Sequence, residues 1–299
     1  MSSGVLAPPT TFALARQRLA DYVELTKPRI AIMALVTVAV GSYVATTGTL
    51  DVALMVHALV GTGLLAAGAS VLNQVLERDT DALMRRTQNR PLPAGRMSAS
   101  EAIVLGFVLS AAGLNYLCVL VNPLTGLVGA VTLVLYAFVY TPMKRLTSFN
   151  TLVGAIPGAL PPVMGWTAVR GSLDGQSWIL FLILFLWQFP HFFAIAWLYR
   201  EDYARAGLKM LPVLDQSGHK TRIHIVASTL ALLLASLVPT QFALAGTAYF
   251  FGAFWLGMAF LWFSISFAYF ASQASARYLM RASLIYLPAL LLLLLLDLV

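Results

Sequence analysis

The sequence is poor in charge and almost free of cysteine. Only 10% of its 299 residues are charged, whereas soluble domains carry about 25%. Its single cysteine, Cys118, excludes an internal disulfide and a thiolate metal site. Because 60% of the residues are hydrophobic, too few polar side chains remain to face water, and lipid must solvate most of the chain. The net charge of +7 therefore reports membrane topology and gives no reason to expect nucleic acid.

The start of the chain lacks the long apolar core and the cleavage site of a signal peptide. Apolar and charged residues instead alternate at rough helical spacing from Phe12 to Leu25, which is typical of a helix at a membrane surface. We predict a cytoplasmic N-terminal tail with an interfacial helix over residues 1–25, followed by one transmembrane domain over residues 26–299.

Long apolar stretches then account for most of the chain, and none shows the alternation of a β-strand. This pattern excludes a closed barrel and predicts an all-α, polytopic membrane helical bundle with nine transmembrane helices. The predicted spans cover residues 30–47, 53–76, 101–121, 124–143, 149–168, 177–199, 222–242, 245–270 and 279–297.

The basic residues support this span count. With the N-terminus inside, 18 of the 19 lysines and arginines fall on the cytoplasmic side, and only Arg170 falls outside. The cytoplasmic connections after spans two and six are the long ones, and long loops often carry function. Since these spans are four apart, we predict two four-helix pseudo-repeats plus a ninth helix, with a site between the halves.

A polar stripe marks the end of span two. Asn73, Glu77 and Asp81 are spaced i, i+4, i+8, which places them within an arc of about 80° on a helix that continues the span. Carboxylate and amide oxygens suit Mg²⁺, and the arginines that follow suit phosphate. These arginines are Arg85, Arg86 and Arg90. Spacing alone leaves a second interpretation open, a solvated helix end with an intrahelical ion pair such as Asp81 with Arg85.

A second polar stripe ends span six. His191 and Asp202 lie about 20° apart in helical rotation, with Tyr199 within about 80° of His191. An ionisable side chain inside a span is costly and usually faces a cavity, which makes His191 a functional candidate. The alternative is a histidine bonded to a neighbouring helix.

These two clusters resemble those of the UbiA superfamily of intramembrane prenyltransferases, which have nine spans and an acidic motif after the second helix of each half. The pattern Asn-x₃-Asp/Glu-x₃-Asp is matched by Asn73, Glu77 and Asp81. More closely, the chain is similar to the protohaem IX farnesyltransferase (haem O synthase) branch. The stretches that carry this similarity are residues 25–29, 73–92, 140–145, 157–166 and 187–203. One departure is that the superfamily has an aspartate-rich second cluster, whereas its positions are filled here by His191, Tyr199, Glu201, Asp202 and Tyr203.

The resemblance implies an enzyme of the bacterial cytoplasmic (inner) membrane that transfers the farnesyl group of farnesyl diphosphate to haem B, with Mg²⁺ as cofactor. Neighbouring haem-processing membrane enzymes are further expected partners. By the resemblance, the catalytic residues are Asn73, Glu77, Asp81 and His191. The expected metal ligands are Asn73, Glu77, Asp81 and Asp202. The expected substrate-binding residues are Lys27, Arg29, Arg85, Arg86, Arg90, Lys144, Arg145, Tyr199, Asp202 and Tyr203.

Three other functions stay open at this point. The first is a prenyltransferase of the same superfamily with another aromatic or tetrapyrrole acceptor, which we would expect to carry more aspartates in its second cluster. The second is a membrane transporter, although its polar residues would lie near the midplane, whereas these cluster at one face. The third is a haem carrier without catalysis.

Overall fold

A computed structural model describes residues 11–299 of the chain, and within that range it is helical with no β-strand. The helices are α1 (Thr11–Thr26), α2 (Pro28–Ala45), α3 (Val52–Ala82), α4 (Ala99–Leu120), α5 (Pro123–Leu133), α6 (Thr141–Leu146), α7 (Asn150–Ala159), α8 (Pro161–Arg170), α9 (Gly175–Leu198), α10 (Arg200–Arg205), α11 (Leu211–Leu214), α12 (His219–Gln241), α13 (Thr247–Phe270) and α14 (Gln273–Leu296). A π-helix, Val134–Tyr140, joins α5 to α6.

Nine of the helical stretches in the described part of the chain are long and apolar enough to cross a bilayer. They are α2, α3, α4, α5–α6, α7–α8, α9, α12, α13 and α14. The predicted span count is therefore confirmed, and the chain is an integral multi-pass membrane protein. Most boundaries agree with the sequence prediction within three residues, but span two extends to Ala82 and span nine begins earlier, at Gln273.

The predicted interfacial helix corresponds to α1, Thr11–Thr26. Residues 1–10 of the predicted tail lie outside the described residues. α1 leads through the single residue Lys27 into α2, so the position of α1 sets where the first span enters the membrane.

The two halves of the bundle pack in corresponding ways, since α3 packs on α4 in the first half as α9 packs on α12 in the second. Small residues allow the α3–α4 contact to be close. A Cβ on Gly113 would lie 2.6 Å from the backbone nitrogen of Leu65, and one on Gly68 would lie 2.6 Å from that of Ser110. Close approach of backbones compensates for the weak hydrophobic drive between helices in lipid.

The two long connections, after spans two and six, pack on one another. Met84, which follows α3, is buried in one cluster with Ala206, Leu208 and Met210, which follow α9. The backbone nitrogen of Lys209 also donates a 2.7 Å hydrogen bond to the carbonyl of Lys144. The connections after spans two and six therefore form one layer over the same end of the bundle.

Candidate active site

The predicted polar stripe lies on one face of α3, which continues to Ala82 and so carries the stripe on the same helix as the span, as the sequence predicted. Asn73 and Asp81 are each 1% exposed, and the Glu77 side chain is 12% exposed. Burial contradicts the alternative of a solvated helix end, because such carboxylates would be open to water. The predicted intrahelical pair between Asp81 and Arg85 is also absent among the ion pairs within residues 11–299.

Each oxygen-bearing side chain of the stripe contacts one cation. These contacts join Lys27 Nζ to Asn73 Oδ1 at 2.7 Å, Lys144 Nζ to Glu77 Oε1 at 2.6 Å and Arg90 Nη1 to Asp81 Oδ2 at 2.6 Å. The cations come from three separate parts of the chain: the α1–α2 joint, α6 and the connection after α3. The stripe is therefore neutralised by basic groups that also suit phosphate oxygens.

The second oxygen of Asp81, Oδ1, is buried and has no hydrogen-bond partner. An unpaired buried carboxylate oxygen is costly unless a further ligand satisfies it. No group of three or more His, Cys, Asp or Glu side chains able to hold a metal occurs among the described residues. The donor set of two carboxylates and an amide fits a hard cation such as Mg²⁺ that completes its coordination with water and substrate phosphate.

Lys27 occupies an unusual backbone conformation, with φ 48° and ψ 57°, in the left-handed region. Such conformations are costly for residues other than glycine and persist where their surroundings hold them. Burial, together with the nearby Arg90 and Lys144 charges, lowers the pKa of Lys27 to about 7, even though the Glu77 and Asp81 carboxylates act in the opposite direction. The ammonium group is thus poorly satisfied by the protein alone, and an anionic ligand would stabilise its charge.

The π-helix positions two side chains of the site, those of Thr141 and Lys144. It precedes Thr141, whose hydroxyl donates to the Tyr136 carbonyl at 2.9 Å and accepts from Asn73 Nδ2 at 2.9 Å. Lys144 was predicted, but Thr141 was missed, because a π-helical turn shifts the register of a span without any periodic signal. Lys144 Nζ lies 4.4 Å from the centre of the Tyr140 ring, a cation–π contact.

The remaining predicted cations divide into two groups. Arg86 lies over two rings of the second cluster, 5.1 Å from the centre of Tyr199 and 5.9 Å from that of Tyr203, and it donates to the Tyr203 hydroxyl at 3.4 Å. The others are exposed and make no side-chain hydrogen bond or ion pair within residues 11–299. They are Arg29, Arg85 and Arg145.

In the second cluster, Asp202 pairs with Arg205 of its own helix at 3.1 Å. The tyrosines of this cluster contact Arg86 instead. The short helix α10 therefore faces the connection after α3 and does not form a separate acidic centre. Sequence spacing predicted the residues of this cluster but could not show which of them reach the first one.

His191 is partly buried in α9 and is bonded to a neighbouring helix. Its Nδ1 lies 2.7 Å from Ser283 Oγ of α14, and its ring stacks on Trp187 at 4.8 Å and 16°. Trp187 Nε1 also donates to the Ser283 carbonyl at 2.8 Å. A helix partner was one of the two interpretations of His191. Ser283 was missed, because a serine in an apolar span carries no signal in one sequence.

The comparisons with known proteins assign this helical bundle to a class of membrane prenyltransferases. A model of the UbiA prenyltransferase family matches residues 34–293. The chain belongs to the UbiA prenyltransferase family.

Within that family, the chain is similar to proteins named protoheme IX farnesyltransferase. It is 46% identical over 286 residues to that of Solibacter usitatus, covering 93% of this chain and 98% of the relative. It is 43% identical over 289 residues to that of Koribacter versatilis, covering 93% of each chain.

Solved structures show the same fold. A digeranylgeranylglyceryl phosphate synthase superposes with a TM-score of 0.78 at 16% identity, over 94% of this chain and 98% of the other. A UbiA homologue of Archaeoglobus fulgidus bound to DMAPP and Mg²⁺ superposes with a TM-score of 0.65 at 16% identity, over 92% and 99%. The fold is therefore one in which relatives hold a divalent metal.

Proposed function

We propose that this protein transfers the farnesyl group of farnesyl diphosphate to a vinyl group of haem B and so forms haem O. The observation that carries the proposal is the buried stripe of α3, in which each oxygen donor faces a cation and one oxygen of Asp81 has no partner. The relatives named protoheme IX farnesyltransferase, at more than 40% identity over nearly the whole chain, support the choice of donor and acceptor.

Asn73, Glu77 and Asp81 are the proposed ligands of Mg²⁺, with Asp202 as a further predicted ligand from the second cluster. When bound, Mg²⁺ would supply positive charge that stabilises the diphosphate leaving group.

Lys27, Lys144 and Arg90 bind the donor in this proposal. They neutralise the stripe in the free protein, and they can exchange these contacts for diphosphate oxygens when the substrate binds. Arg86, stacked on its tyrosines, keeps most of its N–H groups free to join them.

The reaction begins when the bond between the allylic carbon and oxygen breaks and its electron pair leaves with diphosphate. The vinyl π electrons of the acceptor then form the new carbon–carbon bond. Water adds to the resulting cation and loses a proton, which leaves a hydroxyethylfarnesyl side chain. The aromatic rings of Tyr136 and Tyr140, 5.9 Å apart beside Lys144, are suited to exclude water near the first cation. His191 is our candidate for contact with the acceptor.

We also propose that the protein lies in a bacterial inner membrane with its N-terminus in the cytoplasm, close to other haem-processing enzymes. The distribution of 18 of 19 basic residues supports this orientation. In a Cys118→Ser background, an impermeant maleimide should label Ser172→Cys in intact spheroplasts. It should label Gln88→Cys only after permeabilisation. The reverse pattern would place the site on the outer side.

The direct test supplies purified protein with haem B and farnesyl diphosphate, with and without Mg²⁺, and identifies products by mass spectrometry. We expect a farnesylated, hydrated haem only with Mg²⁺ present, and none from the Asp81→Asn variant. Farnesyl diphosphate consumption only with another acceptor would contradict the haem assignment while leaving the prenyl transfer intact.

A further inference from the structure

The side chain of Arg96, in the connection after α3, makes three hydrogen bonds, two of which hold helix α1 to this connection. Arg96 donates to Asp21 Oδ1 at 2.8 Å, to Glu24 Oε2 at 3.2 Å and to the Asn89 carbonyl at 2.8 Å. Asp21 is only 1% exposed and the Arg96 side chain is 32% exposed, so the carboxylate end of this contact is buried while the arginine partly faces solvent. Arg96 therefore ties the middle of α1 to the same connection that supplies Arg90.

The end of α1 is held equally closely. Leu25 is fully buried in one cluster with Val71, Leu92 and Met97. Gln74, the residue after Asn73, donates to the Leu25 carbonyl at 2.8 Å. These contacts place the last turn of α1 directly against the part of α3 that carries the stripe.

Lys27 follows at once, in the left-handed conformation, and its Nζ reaches Asn73 Oδ1 at 2.7 Å. The conformation is unfavourable for lysine, so the flanking helices must impose it. If α1 were free, the joint would relax to an ordinary conformation and the ammonium group would move away from the stripe.

We propose that Arg96 is a positioning residue for the donor site: through Asp21 it holds α1 in the place from which Lys27 reaches Asn73. The connection after α3 then contributes to the stripe in two ways. Arg90 contacts the stripe directly, and Arg96 acts indirectly by holding α1. This inference rests on the proposed role of the stripe in prenyl diphosphate binding.

The first test measures the position of Lys27 without any substrate. Acetic anhydride labelling, followed residue by residue with mass spectrometry, should modify Lys27 several times faster in Arg96→Gln than in the unmodified protein. Lys144, also partly buried, is the internal control, and its rate should not change. If Lys27 were labelled at the same rate in both proteins, the proposal would be overturned. Faster labelling of both lysines would also overturn it, because it would indicate general loosening of the fold.

The second test measures binding of a non-hydrolysable farnesyl diphosphate analogue by calorimetry with Mg²⁺. We expect Arg96→Gln to weaken binding of the analogue about tenfold and Arg96→Lys to weaken it less. In a Lys27→Met background, Arg96→Gln should weaken binding by less than about a further twofold. An undiminished effect in that background would show that Arg96 does not act through Lys27.

A matched control is Arg18→Gln, which removes an exposed pair with Glu101 and a 3.3 Å contact with the Arg96 carbonyl but keeps the Arg96 side chain on Asp21. It should leave analogue binding unchanged. Should Arg96→Gln fail to fold, Asp21→Asn removes the same contact with a smaller change. The labelling result tests the positioning role of Arg96 separately from the proposed function, because it remains valid even if the analogue does not bind and the proposed donor is wrong.

Discussion

The two polar clusters of this protein differ in the kind of partner that each side chain finds. On α3, carboxylates and an amide face cations brought from distant parts of the chain, and these contacts are partly buried. On α9, the intramembrane His191 faces a neutral hydroxyl and an indole ring. We therefore expect the first cluster to bind an ionic ligand and the second to contact a largely apolar one.

Where the clusters meet, the difference is less sharp. Tyr199 and Tyr203 belong to the second cluster by sequence, yet both contact Arg86 of the first. The proposed division, in which the first cluster binds the donor and the second binds the acceptor, therefore fits His191 better than it fits the two tyrosines.

The largest effect should follow a change in the α3 stripe. Asp81→Asn and Glu77→Gln should each lower turnover by about a hundredfold or more, because each variant loses a carboxylate proposed to hold the Mg²⁺ that stabilises the leaving diphosphate. The measurement is single-turnover kinetics with farnesyl diphosphate and haem B, with melting in detergent as the check on folding.

Asp79→Ala is the control for that stripe. Asp79 is 74% exposed and pairs with the adjacent Arg78, so its loss should change turnover less than about threefold. A severe loss in Asp79→Ala together with a neutral Glu77→Gln would mean that a different face of α3 carries the chemistry.

An intermediate effect should follow His191→Ala. We expect haem B affinity, measured by absorbance titration, to fall about tenfold, since a polar contact and a stacked ring are lost together. Binding of the farnesyl diphosphate analogue should change less than about twofold. The opposite result, a large loss of analogue binding with unchanged haem affinity, would move His191 into the diphosphate site.

His57→Ala is a matched control for His191. His57 is also partly buried within a span and also has a hydroxyl partner, Tyr116 at 2.9 Å, but it lies near the other end of α3 from the stripe. Neither binding measurement should respond to its removal.

The smallest effect should come from the contact between the clusters. Tyr199→Leu removes the ring beneath Arg86 and should weaken analogue binding by about threefold, as expected for an exposed cation–π contact. Tyr199→Phe keeps the ring and should bind normally. If Tyr199→Leu instead affects only haem affinity, the simple division between the clusters is restored.

Local patterns in the chain were enough to predict the membrane architecture and the α3 stripe. Apolar run length and the sign of loop charges act within about 20 residues, so they identify a span without knowledge of its neighbours. Asn73, Glu77 and Asp81 were likewise predictable because helical rotation alone places them on one face.

The partners of these residues were decided only by tertiary structure. Lys27 lies 46 residues from Asn73, Lys144 lies 67 from Glu77, and Ser283 lies 92 from His191. No periodicity relates positions so far apart. Packing of the spans, a π-helical shift before Thr141 and the docking of α1 bring them together, since buried polar groups require partners wherever the fold places them.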